Sequence, residues 1–193
     1  MKQKIFNFFR FLKNTNNALL CKTLWEVEYR CGRWDYIDQS MDMNTHSVLT
    51  DFVCGDVLDV GCGTGNFVSN FDSTQYTTYT GIDLSHYAVA RAKKLFDSKN
   101  IQFVQGDALS YSYGSQYDVI FAIEIAYYFY PDKHITFIDQ YIDLLKENGK
   151  LILRIWNKTK FSALLDDLVN YPGSKNTEII PLSEEAILVV LNK

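Results

Sequence analysis

Apolar residues along this chain recur in two ways, as short continuous runs and at the spacing of a helix. The continuous runs predict strands over 57–60, 77–85, 101–109, 117–123, 150–156, 178–182 and 186–192. Helical spacing predicts helices over 18–32, from Asn44 or Thr45 to Phe52, after the cap Ser85, over 134–149 with Gly149 as the stop, and from Phe161 to about Tyr171. Strands that alternate with helices and end in a hairpin predict an α/β fold, a doubly wound, mostly parallel sheet with helices on both faces.

The first 47 residues precede this alternation, and we assign 1–47 to an N-terminal helical cover and 48–193 to the main domain. Residues 5–12 are mostly aromatic and aliphatic and have basic residues around them. Two interpretations stay open for this run: a helix packed on the domain as a lid, or an interfacial helix in peripheral contact with a membrane. The run is too short and too charged to span a bilayer, and no transmembrane segment is predicted elsewhere.

Composition and charge narrow the range of partners. A chain of 193 residues that is 47% hydrophobic suits one domain with a sizeable core. Lys and Arg number 19 against 23 acidic residues, for a net charge of −4 without a basic block, so we expect no nucleic-acid polymer as partner. The four cysteines have neither C-x-x-C spacing nor His partners. We therefore predict no metal site and reduced thiols in a cytoplasmic protein.

The stretch VLDVGCGTGNF, residues 57–67, is the motif around which the chain is organised. A buried strand runs directly into Gly61, Gly63 and Gly65, whose lack of a Cβ lets a ligand lie against the backbone. Asp59 adds a carboxylate to the same crevice. The third glycine comes one residue too early for the G-x-G-x-x-G of dinucleotide-binding folds, and no lysine follows as in a phosphate-binding loop.

Acidic residues also stand at the ends of the next three strands. Asp83 is followed by Leu84, Asp107 is followed by Ala108, and Glu124 ends the most apolar strand. An acid about 20 residues past a glycine turn is placed to accept hydrogen bonds from both hydroxyls of a ribose. A carboxylate in so apolar a run is costly to bury unless it faces a cavity or a partner. Because ligands of open α/β sheets bind at the carboxyl ends of the strands, we expect these acids to line one site.

The string D-x-G-x-G-x-G, with GIDLS and LLKENGKLIL further on, resembles the class I S-adenosylmethionine (SAM) methyltransferases over roughly residues 48–193. The resemblance implies the strand order 3-2-1-4-5-7-6, and SAM as cofactor with S-adenosylhomocysteine as product. It also implies the cofactor-binding residues, which are Asp59, Gly61, Gly63 and Gly65 at the turn, Asp83 with Leu84 at the ribose, Asp107 with Ala108 at the adenine, and Glu124. The string EIAYY is similar to a motif of the nodulation N-methyltransferases, whereas N-P-P-Y, the signature of methylation on DNA bases or glutamine, is missing.

Candidate catalytic residues cluster around the end of the fourth strand, where Glu124, Tyr128 and His134 follow one another with Tyr127 between them. Methyl transfer is an in-line displacement, so alignment of the reacting groups matters most, and a base is needed only if the acceptor is a hydroxyl or an ammonium. His134 has the pKa range of a base, although a histidine at a helix start also serves as a cap. Glu124 either removes a proton or orients SAM or a substrate amine.

Two further groups are candidate ligand contacts. Arg33 and Trp34 precede the first core strand and are predicted to contact the cofactor, with core packing as the alternative. Arg154, Trp156 and Asn157 end the fifth strand and suit an acidic or sugar-like acceptor.

The function predicted from these residues is transfer of a methyl group from SAM to an O or N atom of a small molecule, such as a sugar, a nucleotide-sugar or another intermediate of glycan metabolism. The choice between O and N, and the oligomeric state, stay open. The alternative is a SAM-binding subunit that is not catalytic by itself or that depends on a partner. A nicotinamide enzyme is a third interpretation, since fold alone does not decide function.

Overall fold

A sheet of seven strands forms the centre of this protein, in a computed structural model that describes residues 18–34 and 43–193. The strands are β1 (Asp56–Val60), β2 (Thr78–Asp83), β3 (Ile101–Gln105), β4 (Tyr117–Ile123), β5 (Leu145–Trp156), β6 (Asn176–Pro181) and β7 (Ala186–Asn192). The helices are α1 (Ala18–Arg30), α2 (Met43–Thr50), α3 (His86–Leu95), α4 (His134–Asp143) and α5 (Ser162–Val169), with short 3-10 turns at Val68–Asn70 and Ala126–Tyr128. The aromatic segment 5–12 lies outside the described residues.

The strands follow the order β3-β2-β1-β4-β5-β7-β6. The pairings from β3 across to β5 are parallel, and β7 runs antiparallel between β5 and β6. This is the predicted order 3-2-1-4-5-7-6 with its closing hairpin. The order reverses between β1 and β4, so the end of β1 lies at a switch point of the sheet, where ligands of open α/β sheets bind.

Apolar residues on alternate positions of the central strands build two cores, one on each face of the sheet. Leu58 and Val60 of β1 pack with residues of α4 and α5, such as Phe137 and Leu164. Val57 belongs to the other core, with residues from α2 and α3. Both faces are therefore covered by helices, as predicted, and the long apolar run of β4 is explained by burial on both sides.

The junction between α4 and β5 differs from the sequence prediction. α4 is followed at once by β5, so the predicted helix over 134–149 is too long and its stop at Gly149 is wrong. A register shift between β4 and β5 leaves the segment KENG as a bulge. Lys146 in this bulge donates to the carboxylates of Asp56 and Asp118, at 2.6 and 2.8 Å. Helical spacing in the sequence carries no signal of this pairing with the ends of distant strands.

α1 buries a mixed face. Leu24 is 8% exposed, whereas the neighbouring apolar residue Val27 is 47% exposed. Glu28, one turn after Leu24, is only 5% exposed. A helix that buries an acid in this way must satisfy its carboxylate with other protein groups.

The part of the chain that the structure describes contains no helix with the length and apolar character needed to cross a membrane. Cys21, Cys31, Cys54 and Cys62 are all free thiols.

Candidate functional site

Backbone hydrogen bonds hold the glycine turn after β1 against the end of β2. The N–H groups of Gly61 and Cys62 donate to the carbonyl of Ile82, at 2.8 and 3.0 Å. Gly61, Gly63 and Gly65 have φ angles of 78°, 54° and 84°. Residues with a Cβ rarely adopt such angles, so the path of this turn depends on its glycines.

At each of the three glycines, the side on which a Cβ would stand faces a different neighbour. A Cβ at Gly65 would lie 2.9 Å from the rings of two phenylalanines, and one at Gly61 would lie 2.9 Å from Cδ1 of Ile125. A Cβ at Gly63 would lie 2.8 Å from the hydroxyl of Tyr29. Core packing thus accounts for glycine at position 65, whereas at Gly63 a polar group approaches the bare backbone.

The Asp83 carboxylate lies directly beneath Gly63. It accepts hydrogen bonds from the backbone N–H of Gly63 at 3.0 Å, from the backbone N–H of Ser85 at 2.8 Å, and from the hydroxyl of Tyr29. Burial raises the pKa of Asp83 to about 6; these hydrogen bonds oppose the shift, and the charge of Glu26 adds to it. The predicted ribose acid and the predicted glycine turn therefore form one unit.

Asp59 lies under the turn, inside the core. It is 2% exposed, and its carboxylate accepts a hydrogen bond from the hydroxyl of Tyr79 at 2.6 Å. Burial raises the pKa of Asp59 to about 7; the Tyr79 bond opposes this, and the nearby charge of Asp83 adds to it. The same burial, together with the charges of Asp59 and Asp83, raises the pKa of the Cys62 thiol well above its usual value. Cys62 therefore stays a neutral thiol in the turn.

Hydrogen bonds also join the ends of β2 and β3, which bring the second and third predicted acids to one edge. The N–H of Gly106 donates to the carbonyl of Asp83 at 3.0 Å, and the side chain of Gln105 donates to the carbonyl of Leu84 at 3.2 Å. Asp107 follows directly after this connection.

Asp107 and Ala108 begin the loop after β3. The Asp107 carboxylate accepts the N–H of Leu109 at 2.8 Å, which fixes the loop as a turn. The carbonyl of Ala108 accepts hydrogen bonds from the side chains of Gln140 and Tyr141 in α4, both at 2.8 Å. The loop that is predicted to meet the adenine is thus tied to α4.

α1 lies over this edge of the sheet. The Glu26 carboxylate accepts hydrogen bonds from the hydroxyl of Ser85 at 2.7 Å and from the N–H of Tyr87 at 3.1 Å, at the start of α3. The Tyr29 hydroxyl, one turn further along α1, reaches Asp83 and the bare backbone of Gly63. The structure therefore brings a residue from the N-terminal part of the chain to the centre of the predicted site.

Arg33 and Trp34, predicted to contact the cofactor, both bind the buried Glu28. The Arg33 guanidinium forms an ion pair with Glu28 at 3.2 Å, and the indole N–H of Trp34 donates to Glu28 at 3.2 Å. The ring of Trp34 stacks on Trp25 with 5.4 Å between centroids. These contacts favour the packing alternative for both residues.

Glu124 directly follows β4 and has a conformation that is unusual for its residue type, with φ of 59°. Its carboxylate forms an ion pair with Arg154 and accepts hydrogen bonds from the hydroxyl of Tyr127, at 2.8 Å, and from the backbone N–H of Trp156. Burial raises the pKa of Glu124, while Arg154 and these hydrogen bonds oppose the shift. Strain of this kind is common where a side chain must be aimed at a functional site.

Aromatic rings connect the end of β4 to α1. Tyr128 meets Trp25 edge to face at 5.1 Å, and Tyr127 stacks on Phe161 at 4.8 Å. Ile125 packs against Gly61 of the turn. The loop that carries the candidate catalytic residues is therefore in contact with both the turn and α1.

His134, the candidate base, has both ring nitrogens engaged. Nδ1 lies 2.9 Å from the carbonyl of Pro131, and Nε2 lies 2.9 Å from the carboxylate of Asp167 in α5. The residue is 8% exposed and starts α4. These contacts favour a packing role that joins α4 to α5.

At the end of β5, the guanidinium of Arg154 lies 5.6 Å from the ring centroid of Trp156. Trp156 is 45% exposed, and Asn157 next to it is also exposed, with φ of 59°. Arg154 and Trp156 both contact Glu124, and of the three residues Arg154 is buried whereas Trp156 and Asn157 are exposed.

Part of the chain matches a known protein family, from β1 to the bulge in β5. Residues 57–149 match the model of a family described as a methyltransferase domain, and the strand order is the one expected for class I of these enzymes. Residues 57–149 therefore form a methyltransferase domain. The predicted family is thereby confirmed, and with it SAM as the cofactor of this class.

Among curated relatives, malonyl-[acyl-carrier protein] O-methyltransferase 1 of Ilyobacter polytropus is 32% identical over 111 residues, which cover 54% of this chain and 40% of that protein. The 27-O-demethylrifamycin SV methyltransferase of Amycolatopsis mediterranei is 29% identical over 151 residues, which cover 70% of this chain and 54% of that one. The chain thus spans about half the length of the curated relatives it matches.

A solved structure supports the fold of the methyltransferase domain. The N-methyltransferase NodS of Bradyrhizobium japonicum WM9, crystallised with S-adenosylhomocysteine, has a TM-score of 0.64 with 17% identity, and the match covers 80% of this chain and 89% of that one. Because the identity is only 17%, this similarity supports the fold alone.

Sequence reasoning missed the residues of α1 that reach the site. Glu26 and Glu28 resemble a solvated charged face in the sequence, and Tyr29 resembles one more core aromatic. The signal that was available is the placement of Trp25 and Tyr29 one turn apart, just before a segment rich in aromatic and charged residues. Which of these side chains faces the turn depends on how α1 docks, and its sequence does not encode that.

Proposed function

We propose that this protein is an enzyme that transfers the methyl group of SAM to an oxygen or nitrogen atom of a small molecule. The observation that carries the proposal is the contact between Asp83 and the N–H of Gly63 at 3.0 Å, which joins a ribose-binding acid to a bare glycine backbone. The residues present fit SAM, because Gly63 has no side chain of its own to exclude a ligand from the turn and the acids after β2 and β3 supply acceptors for hydroxyl and amino groups.

In this proposal Asp83 holds the ribose, with Leu84 beside it, and Asp107 and Ala108 hold the adenine. Gly61 and Gly63 let the methionine end lie against the turn. When bound, SAM supplies a methyl group that is already activated by the positively charged sulfur. S-adenosylhomocysteine is the leaving group. The protein has to align the acceptor in line with that bond and exclude water.

We assign the orientation of the acceptor to Glu124. The ion pair with Arg154 and the hydrogen bond from Tyr127 support an orienting role, because they fix both oxygens of the carboxylate. Tyr128 lies one residue further along, and its contact with Trp25 supports a place for it in the wall of the acceptor site. His134 is the weaker candidate, since Pro131 and Asp167 already occupy its ring nitrogens.

The acceptor we propose carries oxygen-rich groups, as a sugar or nucleotide-sugar does. The Nε of Arg154 is buried and has no hydrogen-bond partner among the described residues. This supports a methyl acceptor with an oxygen atom that accepts a hydrogen bond from Nε. The exposed ring of Trp156 offers a flat apolar surface of the kind on which sugars stack. One curated relative is named for O-methylation and NodS for N-methylation, so both kinds of acceptor atom stay in the proposal.

We further propose that the described part of the N-terminal segment, residues 18–34, forms a cover over this site within a cytoplasmic protein whose thiols stay reduced. The contacts of Glu26 with α3 and of Tyr29 with Asp83 support the cover. The free cysteines support the location. Lack of a basic surface block supports small molecules rather than nucleic acid as partners.

The test has two stages. Calorimetry with SAM and with S-adenosylhomocysteine asks for binding, and a sensitive assay of S-adenosylhomocysteine release then screens pools of sugars, nucleotide-sugars, hydroxy acids and amines. Binding with turnover on one pool is the expected result. Binding without turnover on any pool, also after addition of partner proteins, would favour a non-catalytic SAM-binding subunit, and binding of NADH without SAM binding would overturn the proposal.

A further inference from the structure

The number of hydrogen bonds to Asp83 sets a condition on cofactor binding. An ionised carboxylate offers about four acceptor positions on its two oxygens. Among the residues that the structure describes, three groups fill such positions: the N–H of Gly63, the N–H of Ser85 and the hydroxyl of Tyr29. The two hydroxyls of a ribose need two positions, and one is left.

The two backbone partners are fixed by the fold. The Gly63 N–H belongs to the turn that hydrogen bonds to Ile82 hold in place, and the Ser85 N–H belongs to the cap of α3. Release of either would break the turn or the helix start. The Tyr29 hydroxyl is the one partner at the end of a side chain, and a rotation moves it away without a change in the backbone.

Tyr29 also occupies the space that a ligand needs. Its hydroxyl lies where a Cβ at Gly63 would be only 2.8 Å away, so it covers the bare backbone of the turn. A ligand that lies on Gly63 and bonds to Asp83 meets this hydroxyl at both points.

We propose that Tyr29 determines the affinity of the cofactor site by competition: its hydroxyl takes the place of a ribose hydroxyl on Asp83 and has to leave when the ribose binds. The inference rests on the proposed function, because it takes Asp83 as the ribose acid. Tyr29 thereby keeps the buried carboxylate satisfied in the absence of a ligand, at a cost to ligand affinity.

The contact between Glu26 and the start of α3 sets how strongly Tyr29 competes. Glu26 accepts hydrogen bonds from Ser85 and Tyr87 and so holds the turn of α1 that precedes Tyr29. Loss of these bonds lowers the effective concentration of the Tyr29 hydroxyl at Asp83. A variant at Glu26 should therefore act in the same direction as a variant at Tyr29.

The experiment is calorimetry with S-adenosylhomocysteine, which does not turn over, on the full chain. Tyr29→Phe keeps the ring and removes the hydroxyl, and we expect it to bind roughly two- to tenfold tighter, the range for one hydrogen bond of ordinary strength. Glu26→Ala removes the oxygen that accepts from Ser85 and Tyr87, and it should also bind tighter. Tyr171→Phe is the matched control, because the Tyr171 hydroxyl also donates to a carboxylate, that of Asp139, outside the predicted site. It should bind like the wild type.

The outcomes separate the inference from the function on which it rests. Wild-type binding together with unchanged affinity in Tyr29→Phe overturns the competition, and weaker binding in that variant shows instead that Tyr29 is a direct ligand of the cofactor. If Tyr29→Phe still binds tighter when Asp83 is replaced by alanine, the effect does not act through Asp83, and the inference fails. If neither the wild type nor any variant binds S-adenosylhomocysteine, the proposed function itself is overturned.

Discussion

The backbone N–H of Gly63 donates to the carboxylate of Asp83 at 3.0 Å, so a residue of the first predicted ligand motif and a residue of the second are in direct contact. Adjacent parallel strands β1 and β2 bring them together, with Val60 opposite Ile82 in the register. The two motifs therefore work as one binding unit, and a change in either should affect the cofactor.

Replacement of Asp83 by alanine should weaken SAM binding by about 1 to 3 kcal/mol, because the ribose loses a hydrogen-bonded charged partner. Calorimetry measures the loss, and circular dichroism checks that the fold is kept. Asp97→Ala is the control, since Asp97 is an exposed acid in the loop after α3. Equal affinity of wild type and Asp83→Ala would end the ribose assignment.

Gly63→Val should abolish SAM binding. The added side chain would lie in the ligand's place, its Cβ would be 2.8 Å from the Tyr29 hydroxyl, and φ of 54° suits no β-branched residue. Gly114→Val is the matched control, because a Cβ at Gly114 has nothing within 4 Å. Wild-type affinity in Gly63→Val would mean that the turn is structural only.

Asp59 should make the protein less stable as the pH rises from about 4 to about 7. Burial raises its folded-state pKa to about 7 from an ordinary value of 3.8, so in this window the folded protein holds a proton that the unfolded chain has lost. Asp59→Asn removes this dependence of stability on pH, because asparagine does not titrate. At pH 8 it should be more stable than wild type by up to about 4 kcal/mol, with little difference at pH 4.

Urea unfolding of both proteins between pH 4 and pH 8 measures this difference. Asp56→Asn is a control of opposite sign, because hydrogen bonds from Lys146 and Thr78 lower the pKa of Asp56. The stability that Asp56 contributes is present above its ordinary pKa and is lost as the pH falls, so that variant should be less stable than wild type at neutral pH. Parallel pH curves for wild type and Asp59→Asn would contradict the prediction.

Arg154→Met should destabilise the fold by about 3 kcal/mol, because it leaves the Glu124 carboxylate in a largely buried place without its cation. The double variant Arg154→Met with Glu124→Gln should recover most of this loss. Urea unfolding of the two single variants and the double variant gives the coupling between the two residues. If the two single substitutions change the free energy of unfolding additively, the ion pair with Arg154 does not stabilise the Glu124 carboxylate.

Much of the fold could be predicted from the sequence because its signals are local. The run from Tyr117 to Ile123 is apolar enough for a strand covered on both faces, and Ser85 is a helix cap whose hydroxyl does accept the N–H of Ala88, at 3.1 Å. The bulge around Lys146 could not be predicted, because its cause is pairing with strands far away in the chain.

The sequence by itself predicted the family, and it predicted Asp59, Asp83 and Asp107 as cofactor acids from their places near strand ends and at fixed distances from a glycine turn. Only the tertiary structure decided what surrounds them. It placed Asp59 in the core against Tyr79 and brought Tyr29 of α1 onto Asp83. The physical reason is that the strands and the glycine turn follow from local patterns, whereas the docking of α1 depends on which of its faces finds hydrogen-bond partners across the sheet edge.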